Sequence, residues 1–149
     1  MKFLLIEPSH YRRIRGGKEA DRLYLPPVGL AYLAAVLKKF GEVSALDVSC
    51  TPRDEIARRL ADAYDYILFS VTSFNYLDAC ALAEDYSLAS RATLMVGGPH
   101  VAIDRKQIFS NGPWEYAVVG EGERVCERLF AGEGFGESIP GLLRRGTAD

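Results

Sequence analysis

The fold is decided by the stretch Leu94-Met95-Val96-Gly97-Gly98-Pro99-His100 and by a similar stretch further on, Val118-Val119-Gly120-Glu121-Gly122-Glu123. In both, a short apolar run typical of a buried strand stops at glycine, and a helical pattern resumes a few residues later. Glycine has no Cβ, so the backbone can turn sharply there and a bulky group can approach the main chain closely. We therefore predict two adjacent strand ends that are kept free of side chains.

Five apolar runs, at residues 3–6, 43–47, 66–71, 93–96 and 116–119, alternate with helical patterns. Parallel neighbours need a crossover connection, and such crossovers are right-handed. The pattern predicts a doubly wound α/β fold, Rossmann-like or flavodoxin-like, in which helices cover both faces of a five-stranded parallel sheet to give three layers. The residues expected to face the core are Leu30, Leu33, Ala34 and Leu37 in the first helix, Ile56, Ala57 and Leu60 in the second, Ala79, Leu82, Ala83 and Tyr86 in the third, and Val125, Cys126, Leu129 and Phe130 in the last.

The helix ends and the connections carry weaker signals. Pro27 stands near the start of the first helix, Asn75 can cap the third, and a short helix is expected around residues 105–109. At 149 residues the chain is long enough for one domain. We assign residues 1–132 to that domain and the glycine-rich residues 133–149 to a C-terminal extension or linker, with one more extended piece at 139–143.

Composition excludes several classes of function. The formal net charge is -2, whereas nucleic-acid-binding domains usually carry a net positive charge. No apolar run is long enough to span a membrane, and the N-terminal run is too short for a signal sequence, so a cytoplasmic protein is expected. The three cysteines Cys50, Cys80 and Cys126 are too far apart for a ligand cluster and are expected to be reduced thiols.

In an open parallel sheet, ligands bind beyond the carboxyl ends of the strands. Those ends carry Glu7 to His10, Asp47, Ser70 to Ser73, Gly97 to His100 and Gly120 to Glu123. A dinucleotide would require Gly-x-Gly-x-x-Gly after the first strand, which is absent, and the P-loop pattern is absent as well. A phosphoacceptor receiver domain would need an aspartate at the end of the third strand, where this chain has hydroxyls.

The loop from Glu7 to Pro26 is long and carries Arg12, Arg13, Arg15 and Lys18. Loops of that length are usually functional or mobile. With its positive charge, the loop would either close over a ligand or dock on a neighbouring domain. The alternative is that it is a solvated, poorly ordered flap.

Small residues, hydroxyls and glycines with acids at the rim suit a large, neutral ligand that bears amides. Four motifs in order carry a family resemblance: residues 25–34 (LPPVGLAYLA), Ser70-Val71-Thr72, Val96-Gly97-Gly98-Pro99-His100 and Val119-Gly120-Glu121-Gly122-Glu123. Together they resemble the N-terminal cobalamin-binding domain of the B12-dependent radical SAM enzymes. The resemblance runs over nearly the whole chain.

The resemblance implies a cobalamin, as methylcobalamin or hydroxocobalamin, held with its nucleotide tail drawn away from cobalt and buried beside the sheet. Ser70 and Thr72 would contact the tail base, Gly97 and Gly98 would flank the tail, and the loop from Gly120 to Glu123 would close over its far end. The full set of cofactor-binding residues implied is Ser70, Thr72, Ser73, Gly97, Gly98, Pro99, His100, Gly120, Glu121, Gly122 and Glu123.

Two departures limit the resemblance. The Asp-x-His-x-x-Gly motif of methionine-synthase-like B12 domains is absent, since Pro8 stands in place of the aspartate, so His10 is only a weak candidate for a cobalt ligand. The motif Cys-x-x-x-Cys-x-x-Cys, which holds the iron–sulfur cluster of radical SAM enzymes, is absent too. We therefore expect no iron–sulfur cluster and no SAM cleavage by this chain alone, and a radical SAM catalytic domain as its partner in cis or in trans.

Other interpretations stay open. Gly97-Gly98 can be only a tight turn, Ser70 and Thr72 can satisfy backbone groups at the strand end, and Glu121 and Glu123 can serve the helix dipole. The alternative function is a Rossmann-like domain that has lost the cofactor and acts as an interaction or substrate-positioning module. A third is a flavodoxin-like domain for another cofactor.

Overall fold

The apolar runs form strands of one six-stranded sheet with the order β2-β1-β3-β4-β5-β6. The computed structural model describes residues 1–8, 27–87, 91–135 and 138–147. The strands are β1 (Lys2–Glu7), β2 (Glu42–Asp47), β3 (Tyr66–Ser70), β4 (Thr93–Gly97), β5 (Tyr116–Val118) and β6 (Leu142–Arg144).

Strands β1 to β5 are mutually parallel, and the order 2-1-3-4-5 is that of flavodoxin-like folds. The predicted fold class is confirmed. A sixth strand, β6, extends the predicted five and runs antiparallel to β5. It can return in this direction because Gly141 has a φ of +88° and its carbonyl accepts a hydrogen bond from the Val119 N–H at 2.8 Å. The segment assigned to an extension thus adds an edge strand.

The helices are α1 (Val28–Leu37), α2 (Arg53–Leu60), α3 (Tyr76–Ser87), α4 (Pro99–Asp104), α5 (Ile108–Asn111) and α6 (Gly122–Arg128). A 3-10 turn, Arg105–Gln107, joins α4 to α5, and a π turn, Leu129–Glu133, continues α6. The helical segment after β4 therefore begins at Pro99, earlier than the short helix predicted around 105–109. Proline at the first helical position loses no hydrogen bond, which favours this early start.

Two apolar clusters lie on the two faces of the sheet, which confirms the three layers. One is built from alternate strand residues packed against α3, α4 and α5, and includes the fully buried Trp114. The other packs the remaining strand residues against α1 and α6, and includes Leu37 and Cys126. Continuous apolar strands are buried on both faces, as expected for a parallel sheet.

Several details differ from prediction or lie outside the description. Ala57 is exposed rather than core-facing, because α2 is a short polar helix with no fully buried residue. Residues 9–26 lie outside the described residues, and with them His10 and the four cationic side chains of the predicted loop. The Tyr86 side chain is not described either. Across the described ranges, none of the helices is both long and apolar enough to cross a membrane.

Candidate functional site

The carboxyl ends of four adjacent strands bring one residue each into a row across the sheet. Glu7 pairs with Asp47 between β1 and β2, and Ser70 pairs with Gly97 between β3 and β4. Glu7 and Ser70 each lie one position beyond the pair Ile6 and Phe69. Because side chains alternate between faces, the row shares the face of the cluster packed on α1 and α6.

A cleft of about 280 Å³ opens on that face, between the strand ends and helices α1 and α6. Its walls are mainly aliphatic, and its floor and rim are mainly glycine. The lining residues are Gly29, Leu30, Leu33, Leu68, Phe69, Ser70, Met95, Val96, Gly97, Gly98, Pro99, Val118, Gly120, Glu121, Gly122, Glu123 and Cys126. The described lining residues leave the cleft open at the strand ends, and Phe69 is the one aromatic residue among them.

The two glycines of the β4 turn have different roles. A Cβ on Gly97 would lie 3.7 Å from the Val118 Cβ, an ordinary contact, so the missing side chain leaves space in the cleft. Gly98 has a φ of +103°, and a Cβ there would lie 2.6 Å from the Val71 carbonyl oxygen. Gly98 is therefore required by the turn itself, as the alternative interpretation held for this residue.

Glycines also form the opposite rim. Gly120 has a φ of +87°, and a Cβ on Gly29, in the first turn of α1, would meet no atom of another described element within 4 Å. Gly122 opens α6, and its Cβ would touch only the Leu33 side chain at 3.8 Å. The cleft is consequently bounded by main chain on two sides.

Ser70 and Glu7 lie at the carboxyl ends of the adjacent strands β3 and β1, where Ser70 lines the cleft. Burial raises the pKa of Glu7 to about 7; the nearby Ser70 hydroxyl acts in the opposite direction, and the Asp47 carboxylate adds to the rise. The Asn75 side-chain amide lies behind the pair, with Nδ2 3.5 Å from Glu7 Oε1 and 3.4 Å from the Pro8 carbonyl oxygen. Glu7 is thus a carboxyl that can hold a proton near neutral pH.

Thr72 lies just beyond the end of β3, next to the cleft but not in its lining. Its backbone N–H donates to Asn75 Oδ1 at 2.7 Å. Its Oγ1 is buried and has no hydrogen-bond partner among the described residues. A buried hydroxyl without a partner costs free energy, so this atom is suited to a ligand group or an ordered water. Asn75 is fully buried, and its carbonyl accepts from the Ala79 N–H, which places it at the predicted start of α3.

Ser73 and His100 form a separate group outside the cleft. Ser73 Oγ lies 3.0 Å from His100 Nδ1, and His100 Nε2 lies 3.8 Å from the Asp104 carboxylate. The Tyr76 ring packs against the imidazole at 4.2 Å between centroids. His100 therefore packs in the first turn of α4 against Tyr76. Of the predicted cofactor-binding residues, Thr72, Ser73 and His100 do not line the cleft, whereas the other eight do.

The acids and the thiol at the far wall are not arranged as a metal site. Glu121 precedes α6 and Glu123 lies in its first turn, where negative charge is favourable. Burial, followed by the charge of Glu123, raises the pKa of Cys126 to about 12, so this thiol stays protonated. Within the described ranges, no group of three or more His, Cys, Asp or Glu side chains could hold a metal ion.

Sequence reasoning missed the aliphatic walls and Gly29. Leu33, Met95 and Val118 have the spacing of core residues, and nothing in one sequence separates a core residue from one that lines a cleft. Gly29 could have been identified from its place in the motif at residues 25–34. Glycine is unfavourable inside a helix, so its presence in the first turn of α1 suggests a role other than helix formation.

Comparison with known families decides the membership. The family model described as "B12 binding domain" matches residues 20–130, about three quarters of the chain. The chain belongs to the B12-binding domain family. The resemblance stated from the motifs is thereby confirmed at the level of the domain.

One relative matches nearly the whole chain. The chain is 28% identical over 156 aligned residues to the uncharacterized methyltransferase PH0819 of Pyrococcus horikoshii, covering 96% of this chain and 32% of that protein. The B12-binding chain thus spans about a third of the length of this relative.

Solved structures share the fold. One is the radical S-adenosylmethionine methyltransferase TsrM from Kitasatospora setae with cobalamin and a [4Fe-4S] cluster, at a TM-score of 0.74 and 17% identity, covering 96% of this chain and 27% of that one. Another is the cobalamin-dependent radical enzyme OxsB with aqua-cobalamin and S-adenosylmethionine, at a TM-score of 0.65 and 19% identity, covering 95% and 20%. At these identities the likeness is one of fold.

Proposed function

We propose that this domain binds cobalamin in the base-off form, with the nucleotide tail in the cleft beside Gly97. The observation that carries the proposal is the open cleft at the strand ends, where the absence of a side chain on Gly97 leaves room beside the Ser70 hydroxyl. Membership in the B12-binding family makes cobalamin the ligand to consider first.

The size of the cleft supports a tail rather than a whole cofactor. Pockets for drug-sized ligands span about 300–1,000 Å³, and the 280 Å³ found here is at the lower limit. That space suits one heterocycle with part of its sugar. The corrin ring would then lie outside, over the loops that follow β1 and β3.

The chemistry of the lining fits an uncharged heterocycle. Leu33, Met95 and Val118 offer apolar contact to the two faces of a ring. The Ser70 hydroxyl lies at the cleft edge, and the buried Thr72 Oγ1 lies beyond it without a described partner. Glu121 and Glu123 at the rim disfavour a phosphate-rich ligand such as a dinucleotide.

When bound, cobalamin supplies a cobalt centre that can carry a methyl group. The residues of the cleft do not perform that transfer; they bind and orient the tail and exclude water from it. We propose further that residues 1–132 are the cofactor-binding unit, and that 133–149 lead toward a radical SAM domain in cis, or that such a domain acts in trans in the cytoplasm. The cysteines at 50, 80 and 126 do not form the cluster motif of that domain.

The experiment is cofactor retention. Purified protein is incubated with hydroxocobalamin in the dark, desalted, and examined by visible absorption, beside a Gly97→Val variant as the matched control. We expect the wild type to keep a corrinoid band in a stoichiometric amount, with the spectrum of cobalamin whose base is detached, and the variant to lose it.

A colourless wild type would contradict cofactor binding and favour the alternative, a domain that has lost the cofactor and serves as an interaction module. A coloured wild type with the base-on spectrum would keep cobalamin binding and contradict the tail in the cleft. A flavin or another chromophore copurifying with untreated protein would favour the third interpretation.

A further inference from the structure

We propose that the cleft selects among corrinoids by their tail base: it accepts a methylated benzimidazole and disfavours a purine such as adenine. This inference rests on the proposed function, because it concerns the base that the cleft would hold. It assigns the selectivity to Leu68 and Met95, the apolar pair that lines the cleft just inside Ser70 and Gly97.

The register of β3 and β4 divides the cleft into two levels. Ser70 pairs with Gly97 at the strand ends, which we call the outer level, and Leu68 pairs with Met95 at an inner level two residues earlier. Side chains two positions apart in a strand point to the same face, so both levels open on the face covered by α1 and α6. The rise of a strand separates the levels by about 7 Å.

The cleft ends at the inner level because aromatic rings fill the space beneath it. Tyr66 lies two residues before Leu68 on β3 and on the same face of the sheet. Its ring packs edge-to-face on Phe130 at 4.9 Å between centroids and stacks on Phe3 at 5.5 Å. A base that enters from the strand ends therefore stops with its far edge against Leu68 and Met95.

The inner level is poor in hydrogen-bonding groups. Leu68 is aliphatic, and the Met95 thioether and the Cys126 thiol of α6 are only weak partners. The backbone of β3 and β4 at this level is engaged in the parallel ladder. Among the lining residues that the structure describes, the one hydroxyl belongs to Ser70, at the outer level. A polar atom that reached the inner level would thus lose water without gaining a good partner.

The polar groups of the lining stand at the mouth. Ser70 ends β3, Glu121 precedes α6, and Glu123 lies in its first turn. In the nucleotide of a corrinoid the ribose is attached to the five-membered ring of the base. A ribose at the mouth therefore keeps the five-membered ring at the outer level and sends the six-membered ring to the inner level.

Two tail bases of similar size differ at that six-membered ring. In dimethylbenzimidazole it carries C–H and methyl groups, which suit contact with Leu68 and Met95. In adenine it carries ring nitrogens and an amino group, and burying these without partners costs free energy. The selection is therefore made by polarity rather than by size.

The test is the affinity of the whole chain for cobalamin and for pseudocobalamin, whose tail base is adenine. Both are used without oxygen in the cob(I) state, in which cobalt holds no axial base, so that detachment of the base does not enter the comparison. Retention on ultrafiltration, measured by corrin absorption, gives both affinities. We expect cobalamin to bind about 10- to 100-fold more tightly, the range in which an apolar pocket discriminates against a polar analogue of similar size.

Met95→Gln is the decisive variant, because it places an amide at the inner level in a side chain of nearly the same length. The amide can pair with the ring nitrogens and the amino group of adenine, but it has no partner on dimethylbenzimidazole. We expect the ratio of the two affinities to fall by about tenfold or more.

Leu33→Gln is a milder second variant, because Leu33 is only partly buried where it lines the cleft from α1, and glutamine favours a helix about as much as leucine. We expect the ratio to fall here as well. Leu82→Gln is the matched control: Leu82 is also partly buried on a helix, α3, but it packs on the opposite face of the sheet. It should leave the ratio unchanged.

Equal affinities of the wild type for the two corrinoids overturn the inference and leave the proposed function intact, as does a ratio that neither glutamine in the cleft reduces. A wild type that retains neither corrinoid overturns the proposed function and this inference with it. Circular dichroism shows whether Met95→Gln has lost its fold, in which case Leu33→Gln decides.

Discussion

Ser70 at the end of β3 lies directly opposite Gly97 at the end of β4. The hydroxyl of one strand is therefore adjacent to the open space left by the other, at the same edge of the sheet. A polar group beside an uncovered floor is the arrangement that a ligand site requires and a packed core avoids. Substitutions along this edge can separate its contribution to the fold from its contribution to ligand binding.

Gly97 and Gly98 should respond differently to substitution. Gly97→Val places a side chain in the cleft with only ordinary contacts behind it, so we expect the fold to persist and cobalamin affinity to fall by about 1–3 kcal/mol or more. Gly98→Ala meets the Val71 backbone at 2.6 Å and a φ of +103°, so we expect a loss of about 1–3 kcal/mol in unfolding free energy.

Thermal unfolding and cobalamin titration on both variants check this pair. Equal destabilisation by the two substitutions would show that both glycines serve the turn alone.

Gly29→Leu should fill the mouth of the cleft from α1. Gly29 has open space where a Cβ would be, and a leucine is a better helix former by about 1 kcal/mol. We therefore expect a higher Tm together with weaker cobalamin binding. Ala31→Leu, at an exposed position of the same helix, is the matched control and should leave binding unchanged. Unaltered binding by Gly29→Leu would place the ligand elsewhere.

Thr72→Val should weaken cofactor binding without weakening the apo fold. Its Oγ1 is buried without a described partner, so removing it sacrifices no hydrogen bond within the described chain, and the unfolding free energy should stay within about 0.5 kcal/mol or rise. The control is Thr51→Val, because Thr51 Oγ1 donates to the Asp47 carbonyl.

We expect Thr51→Val to lose about 1 kcal/mol of stability and to keep its affinity for cobalamin. Urea unfolding with a binding titration distinguishes the two. A strongly destabilised Thr72→Val would mean that the hydroxyl is satisfied within the protein.

Glu7 should make the apo protein less stable as the pH rises. Its pKa is raised from 4.5 to about 7 in the folded state, so the folded chain holds this proton more tightly than the unfolded chain. The stabilisation is complete below about pH 4.5 and is lost as the pH rises through about 7. Glu7 is partly exposed, so solvent screening reduces the effect to on the order of 1 kcal/mol.

Urea unfolding of the apo protein at a series of pH values measures this, with Glu7→Gln as the variant in which the slope should be smaller. The raised pKa would be contradicted if the unfolding free energy of the wild type rose between pH 5 and pH 7 while that of Glu7→Gln did not.

The fold could be predicted because its signals are local. Continuous apolar runs such as Phe3 to Ile6 are typical of strands covered on both faces, and Gly98 stands at the end of β4, where the backbone turns. The edge strand β6 was harder to predict, since three residues do not establish a period and their direction depends on the turn at Gly141.

The sequence predicted the polar residues and glycines of the candidate site, but not its aliphatic walls. Motif order indicated Ser70, Gly97 and the loop at Gly120, and these line the cleft. Ser73 and His100 share the same edge of the sheet but bond to each other, which depends on helix α4 starting at Pro99. The proximity of Glu7 and Ser70 at adjacent strand ends follows from the register of strands that are far apart in the sequence, and one sequence does not show that register.

We propose that the cleft beside Gly97 holds the nucleotide tail of cobalamin rather than its corrin ring. The most direct measurement is the affinity of the wild-type protein for cobalamin against cobinamide, which has the corrin but no nucleotide. We expect cobalamin to bind at least about 100-fold more tightly than cobinamide, and Gly97→Val to remove most of this difference. Equal affinities for the two corrinoids would contradict it.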